Sequence, residues 1–279
     1  MNQGIVRNWM SSPVITVTPD THLADARRIM NAESIRALPV VEAGRLVGIV
    51  TKRGLLRIDF STLIGVEGRS GTDLKEELIG HIMTRTPITT PQNAPMPKAA
   101  RSMMENKITA LPVLDEKGVL IGILTTSDIF RAILAELPEL KQDIPVSDYM
   151  IREVVTIDPD TSLLETHRLM GTKRIRSLPV LVDGNLVGIV TRTDVMSADP
   201  SSLMNRFNQE ISLKILTQPV EKLMAHDLIT IRPDQPITDA AQKLLENKIH
   251  SLPVVDESGA LIGILTESDL FRMFTQKFF

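Results

Sequence analysis

The chain has 279 residues, 43% of them apolar, with 31 basic and 34 acidic side chains and a formal charge of −3. That is enough for a packed core of one or two domains, but the charge gives no reason for nucleic acid or an anionic membrane as main partner, and 3% aromatics supply no base-stacking platform. The absence of cysteine removes thiolate chemistry, cysteine zinc sites and disulfides, and with no bilayer-length apolar stretch and no signal-peptide pattern a cytoplasmic protein is expected.

In chain order, the β-branched run Val14-Ile15-Thr16-Val17 predicts a strand. Pro19-Asp20-Thr21 opens a helix in which Leu23, Ala26, Ile29 and Met30 recur at helical spacing. Residues 37–41 predict a second strand, Gly44 a turn, and residues 45–50 a third strand. Thr51 stands where a second helix begins. Residues 58–73, with Ser61, Gly65, Gly68, Ser70 and Gly71, predict a mobile linker.

The pattern then recurs. A Leu-Pro-Val triplet occurs at Pro39, Pro112, Pro179 and Pro253, and a methionine stands 29 residues before each proline, at Met10, Met83, Met150 and Met224. These methionines are expected to fill the core. After each triplet comes a short turn and an apolar run ending in threonine: Thr51, Thr125, Thr191 and Thr266. Repeats 1 and 3 share a turn one residue shorter than repeats 2 and 4, so the unit is a pair of β-α-β-β-α repeats duplicated at about 140 residues. The repeats are placed at 1–58, 74–134, 144–197 and 214–275. Residues 135–145, with Pro138 and Pro145, join the halves, and residues 197–218 suggest an extra helix.

Candidate chemistry lies where the third strand meets the second helix. Thr125 and Asp128, Thr191 and Asp194, and Thr266 and Asp269 each place a hydroxyl and a carboxylate three residues apart. A helix start favours an anion, and a carboxylate can accept both hydroxyls of a ribose. Alone, the motif reads as a capping box. Two observations shift it toward a ligand: the same context occurs three times, and repeat 1 has Thr51-Lys52-Arg53-Gly54, without the acid. Just before each triplet the chemistry varies: Arg36, Thr109, Arg176 and His250.

These triplets and the Gly-apolar-apolar-Thr-x-x-Asp ends resemble four tandem CBS domains, arranged as two Bateman modules. The resemblance implies an α/β fold of the α+β type, with the modules able to close into a flat pseudo-symmetric disc. It implies that the acid binds ribose and that Arg36, Arg176 and His250 face phosphate. Ile35, Ile108, Ile175 and Ile249 then press on the base, and the strand-one Thr16, Thr89, Thr156 and Thr230 touch the ligand. It also implies that each site crosses a pair of repeats. Asp128 joins Thr16, Ile35 and Arg36; Asp269 joins Thr156, Ile175 and Arg176; Asp194 joins Thr230, Ile249 and His250. The fourth site, Gly54 with Thr89, Ile108 and Thr109, lacks both acid and cation and is expected to be empty or altered, with Lys52 or Arg53 turned toward a neighbouring cleft.

The function expected is a regulatory sensor of AMP, ADP or ATP (with Mg only for ATP), S-adenosylmethionine being the second choice. A homodimer or a protein partner would receive the signal. No Walker loop, nucleophile elbow or histidine pair supports an enzyme or a metal site. The alternative is a scaffold with vestigial sites.

Overall fold

A computed structural model describes residues 4–55, 77–136, 144–197 and 216–278. The expected linker at 58–73, most of the 135–145 connection and the expected helix within 197–218 lie outside or largely outside them. Repeat 1 contains α1 (Leu23–Ala32) and the hairpin β1 (Ala37–Glu42) and β2 (Arg45–Thr51), after which residues 52–55 begin a helix. Repeat 2 contains α2 (Ile79–Ile82), β3 (Thr84–Arg85), β4 (Thr90–Pro91), α3 (Met96–Asn106), β5 (Ala110–Leu114), β6 (Leu120–Thr125) and α4 (Thr126–Glu136). Repeat 3 contains α5 (Leu163–Lys173), β7 (Ser177–Val182), β8 (Asn185–Thr191) and α6 (Arg192–Ser197). Repeat 4 contains α7 (Ile237–Glu246), β9 (Ser251–Val255), β10 (Leu261–Thr266) and α8 (Glu267–Phe278). The α+β class is as the sequence implies.

Strand one is a correction. Only repeat 2 forms it, as the two-residue β4, parallel to β5. Elsewhere it is a single parallel bridge: Val17 to Val40, Ile157 to Val180, and Ile231 to Val254. In repeat 1 Val17 N–H donates to Pro39 O at 3.1 Å and Val41 N–H to Val17 O at 2.8 Å. The β-branched residues hold the chain extended, but one residue suffices to anchor it to the hairpin.

The four methionines explain the pairing of repeats. Met10 lies over Gly122, Met83 over Gly48, Met150 over Gly263 and Met224 over Gly188. Each methionine thus sits on the third strand of the other repeat of its pair. A Cβ at Gly122 would stand 2.6 Å from Met10 Sδ, and one at Gly263 2.8 Å from Met150 Sδ, closer than real contacts allow. The backbone crosses with them. Ser11 pairs with Ile123, β3 with β2, Ile151 with Ile264, and Ala225 with Ile189. Four residues before each methionine stands Val6, Ile79, Val146 or Val220, each 0% exposed and inserted in the partner repeat's core. The entry segments of paired repeats are therefore exchanged, which binds repeat 1 to 2 and repeat 3 to 4.

The two pairs meet through the even repeats. Helices α3, α4, α7 and α8 share one continuous core that includes Ala99, Ala100, Phe130, Ala240, Ala241 and Phe271. Phe130 and Phe271 meet edge to face, ring centroids 6.1 Å apart at 80°, a favoured aromatic geometry. The odd repeats keep separate cores. At the position of Ala100 and Ala241, their first helices carry Arg27 and His167.

Candidate ligand clefts between paired repeats

The first helix of each repeat sets the approach to the cleft. It ends at a left-handed residue, Ser34, Lys107, Arg174 or Lys248, with φ of 54, 54, 56 and 55°. The next N–H turns back into the helix, as Ile35 N–H does to Met30 O at 2.9 Å and Ile175 N–H to Met170 O at 3.0 Å. This is a Schellman-type stop built without glycine. It half-buries Ile35, Ile108, Ile175 and Ile249 against the cores. Arg36, Thr109, Arg176 and His250 follow at the mouth, and their carbonyls accept from Lys52, Thr126, Arg192 and Glu267 N–H at 2.8–3.2 Å. Each pre-triplet residue is thereby tied to the second-helix start of its own repeat.

Across each pair, the pre-triplet strands meet. Ser177 and Ser251 join through their hydroxyls at 2.9 Å. Ala37 and Ala110, their counterparts in the first pair, share one apolar cluster with Ile49 and Ile123. Ser251 is opposite Thr266 in its hairpin, and Ser177 opposite Thr191. In the second pair this brings the Thr266–Asp269 turn toward the pre-triplet residue of repeat 3. Arg176 shows it directly: its Nη2 donates to Ser268 Oγ at 3.1 Å, inside the Thr266–Asp269 turn.

The acids are helix caps first. Thr125 N–H and Oγ1–H donate to Asp128 Oδ2 at 2.7 and 2.6 Å. Thr191 does the same to Asp194 at 2.8 and 2.7 Å, and Thr266 to Asp269 at 3.0 and 2.6 Å. The second carboxylate oxygen differs. Arg131 engages Asp128, and Arg272 engages Asp269 at 2.7 Å. Asp194 has no such cation among the described residues; Ser197 stands in that place. Asp128 is 0% exposed and Asp269 4%. Burial, outweighing its donors, pushes the Asp128 carboxyl above the ordinary value of 3.8. In repeat 1 only Gly54 N–H to Thr51 Oγ1, 3.1 Å, remains of the turn.

The three expected phosphate-facing groups diverge. Arg176 stays with the Asp269 turn. Arg36 instead reaches repeat 4, where Nη2 donates to Lys248 O at 3.1 Å and Nη1 lies 3.3 Å from His250 Nδ1. His250 Nδ1 is 2.6 Å from Glu267 Oε2. Nδ1 thus lies between a group that only accepts, the Glu267 carboxylate, and one that only donates, the Arg36 guanidinium. Thr16 is exposed, Thr156 and Thr230 are half-buried, and among the described residues none of their hydroxyls bonds to an acid of the motif. A depression of about 310 Å³ lies elsewhere, between Pro19, Glu42, His81 and Arg85, and no expected site residue lines it.

The CBS-domain profile matches residues 6–61, 79–135, 146–201 and 220–275, most of the chain. This chain belongs to the CBS-domain family. It is 29% identical to the uncharacterized protein MJ1225 of Methanocaldococcus jannaschii over 97% of this chain and 98% of that one. The crystal structure of MJ1225, a protein proposed as an archaeal homologue of γ-AMPK, superposes with a TM-score of 0.79 over 97% of this chain and 99% of that one, at 27% identity. An uncharacterized conserved protein of Pyrococcus horikoshii superposes at 0.64 over 96% and 99%, at 26% identity. A shorter CBS-pair protein, CBSX2, crystallised with AMP, matches 48% of this chain and 98% of its own at 31% identity, TM-score 0.41.

In this chain one further position matters, of which the motif reading had singled out only Lys52. The residue after each motif threonine, Lys52, Thr126, Arg192 or Glu267, varies as much as the pre-triplet residue it adjoins. Arg192 Nη2 donates to Ile175 O at 3.3 Å, while its buried Nε has no acceptor among the described residues. Burial, then the charges of Arg53 and Arg176, lowers its pKa. The sequence signal was there: the two variable positions form a set, and both needed reading together. Among the described residues no cluster could hold a metal ion and no helix is long and apolar enough to cross a membrane.

Proposed function

We propose that this CBS-domain protein is a non-catalytic sensor. It binds AMP, ADP or ATP, or another adenosyl ligand such as S-adenosylmethionine, in the clefts between paired repeats and passes the bound state to a partner or a second copy. Mg accompanies the ligand only where that ligand is ATP. The single observation that carries this reading is Arg176 on Ser268: a cation from repeat 3 meets the acid-bearing helix start of repeat 4. The residues fit the group. Asp128, Asp194 and Asp269 supply carboxylates for a ribose diol, and Arg176 supplies a cation for phosphate. Binding in such a cleft ties two repeats together, so it shifts an equilibrium by its differential affinity for two arrangements of the pair.

Calorimetric titration of the full chain with AMP, ADP, ATP and S-adenosylmethionine tests the reading. One of them binds, and Asp269→Ala and Asp194→Ala each remove binding or weaken it about tenfold or more, as expected for loss of a charged hydrogen-bond acceptor. Heat-free titrations with all four compounds would favour the second reading, a scaffold. The observation on that side is the engagement of Asp128 and Asp269 by their own threonine and arginine neighbours.

A further inference from the structure

The two clefts of the second pair differ in the group that stands beside the pre-triplet residue. In repeat 3 the residue beside the phosphate-facing Arg176 is Arg192, whose N–H donates to Arg176 O at 2.8 Å. In repeat 4 the residue beside His250 is Glu267, 18% exposed, whose carboxylate holds His250 Nδ1. Arg176 and Arg192 thus place two guanidiniums together, where His250 has a carboxylate beside it. Among the described residues neither Arg176 nor Arg192 has a carboxylate within ion-pair distance. Arg176 donates to Ser268, Arg192 to Ile175 O, and Arg192 Nε is buried with nothing among the described residues to accept from it. Buried donors are ordinarily paired, and clustered guanidiniums without a counter-charge form an anion site in which each added phosphate finds a new partner. Arg53 of repeat 1 adds a third positive charge to this neighbourhood, felt at Arg192 together with its burial.

We propose that Arg192 sets phosphate-number selectivity. With Arg176 it makes the Asp269 cleft prefer an adenine nucleotide carrying two or more phosphates, and Glu267 denies that preference to the Asp194 cleft. The inference rests on the reading of these clefts as adenine-ligand sites. The first phosphate meets Arg176 and Ser268, and the next meets Arg192. In the Asp194 cleft Arg36, held on Lys248 O beside His250, is the cation a first phosphate meets, and a second phosphate would meet the Glu267 carboxylate instead, so the ligand there is an adenosyl compound with one phosphate or none.

The test is calorimetry of the full chain with ATP, ADP, AMP and adenosine, on the wild type and on Arg192→Gln, Arg192→Lys, Glu267→Gln, Asp194→Ala and Asp269→Ala. Arg192 is half-exposed and bonds one carbonyl, so its variants fold, and their unfolding midpoints without ligand check this. The wild type binds ATP and ADP more tightly than AMP at a site lost in Asp269→Ala. Arg192→Gln weakens ATP about tenfold or more while AMP changes less than about threefold, the scale of one charged hydrogen bond. Arg192→Lys restores part of the difference, and Glu267→Gln tightens ATP at the site lost in Asp194→Ala. Equal loss of AMP and ATP in Arg192→Gln, or no phosphate-number preference in the wild type, overturns the inference and leaves the cleft reading intact. A wild type that binds no adenine compound overturns both.

Discussion

A single carboxylate in this protein has two duties that pull against each other. Asp194 Oδ2 caps its helix turn through Thr191, and among the described residues its other oxygen has no cation; Asp128 and Asp269 have both oxygens engaged. Loss of an N-terminal cap costs about 1 kcal/mol, so Asp194→Ala lowers the unfolding free energy by about that much in chemical denaturation, besides its effect on ligand. Asp128 behaves differently with pH. Its folded carboxyl titrates above 3.8 because it is buried, so the folded state keeps a proton that the unfolded chain has released. The stability it contributes is full below 3.8 and is lost as pH rises through the folded value. Asp128→Asn, which keeps an oxygen for Thr125, therefore flattens the stability profile in that window, and denaturation midpoints from pH 4 upward would show it. His167 titrates in the opposite sense. Burial and then the charge of Arg192 hold it below 6.5, so the unfolded chain takes up the proton first and stability falls as pH drops through about 6.5. His167→Asn removes that fall. At this scale the motif acids and the pre-triplet residues were legible in the sequence, because both recur in register. The directions of Arg36 and His250 were not. Both depend on repeat 4 facing repeat 1, a contact spanning 214 residues that no local pattern encodes.

The elements owe their pairing to a short residue exchanged for a long one. Glycine at 48, 122, 188 and 263 leaves room that a methionine from the partner repeat fills. A valine at Gly263 puts its Cβ on Met150 Sδ and on Ile151 O, 3.2 Å away. Overpacking of this kind costs about 1–3 kcal/mol, and Gly263→Val shows that loss in the thermal unfolding midpoint; Met150→Ala in the same chain, which vacates the space, recovers part of it. The methionines were expected as core fillers, and Met83, Met150 and Met224 are 7–8% exposed. Their partner across the pair was the hidden part. The signal for it, an apolar residue four positions before each methionine, gives a one-turn contact too short to read as an element. Strand one was misread for a related reason. Val14 to Val17 has the composition of a strand, yet only Val17 finds a partner, because the exchanged segment before it and the helix after it leave it one residue of hairpin edge to meet.

On the scale of the molecule, the two seams between modules are unlike. The even repeats bury alanine and phenylalanine in one core, whereas the odd repeats carry Arg27, Arg53, His167 and Arg192 in their corresponding region. Phe130 is 0% exposed on the apolar seam. Phe130→Ala costs about 3–5 kcal/mol and loosens the joint between modules, so calorimetry shows two transitions where the wild type shows one. Four repeats in two pairs were plain from the sequence; which faces join the pairs was not, since alanine and arginine at one helical position differ only in what they later touch. The account stands most directly on a crystal structure of the full chain with AMP. It predicts the ribose hydroxyls on the Asp269 carboxylate with the phosphate within reach of Arg176, Arg272 having given up its contact. Nucleotide bound at another place, or none bound, with Asp269 still closed on Thr266 and Arg272, would contradict it.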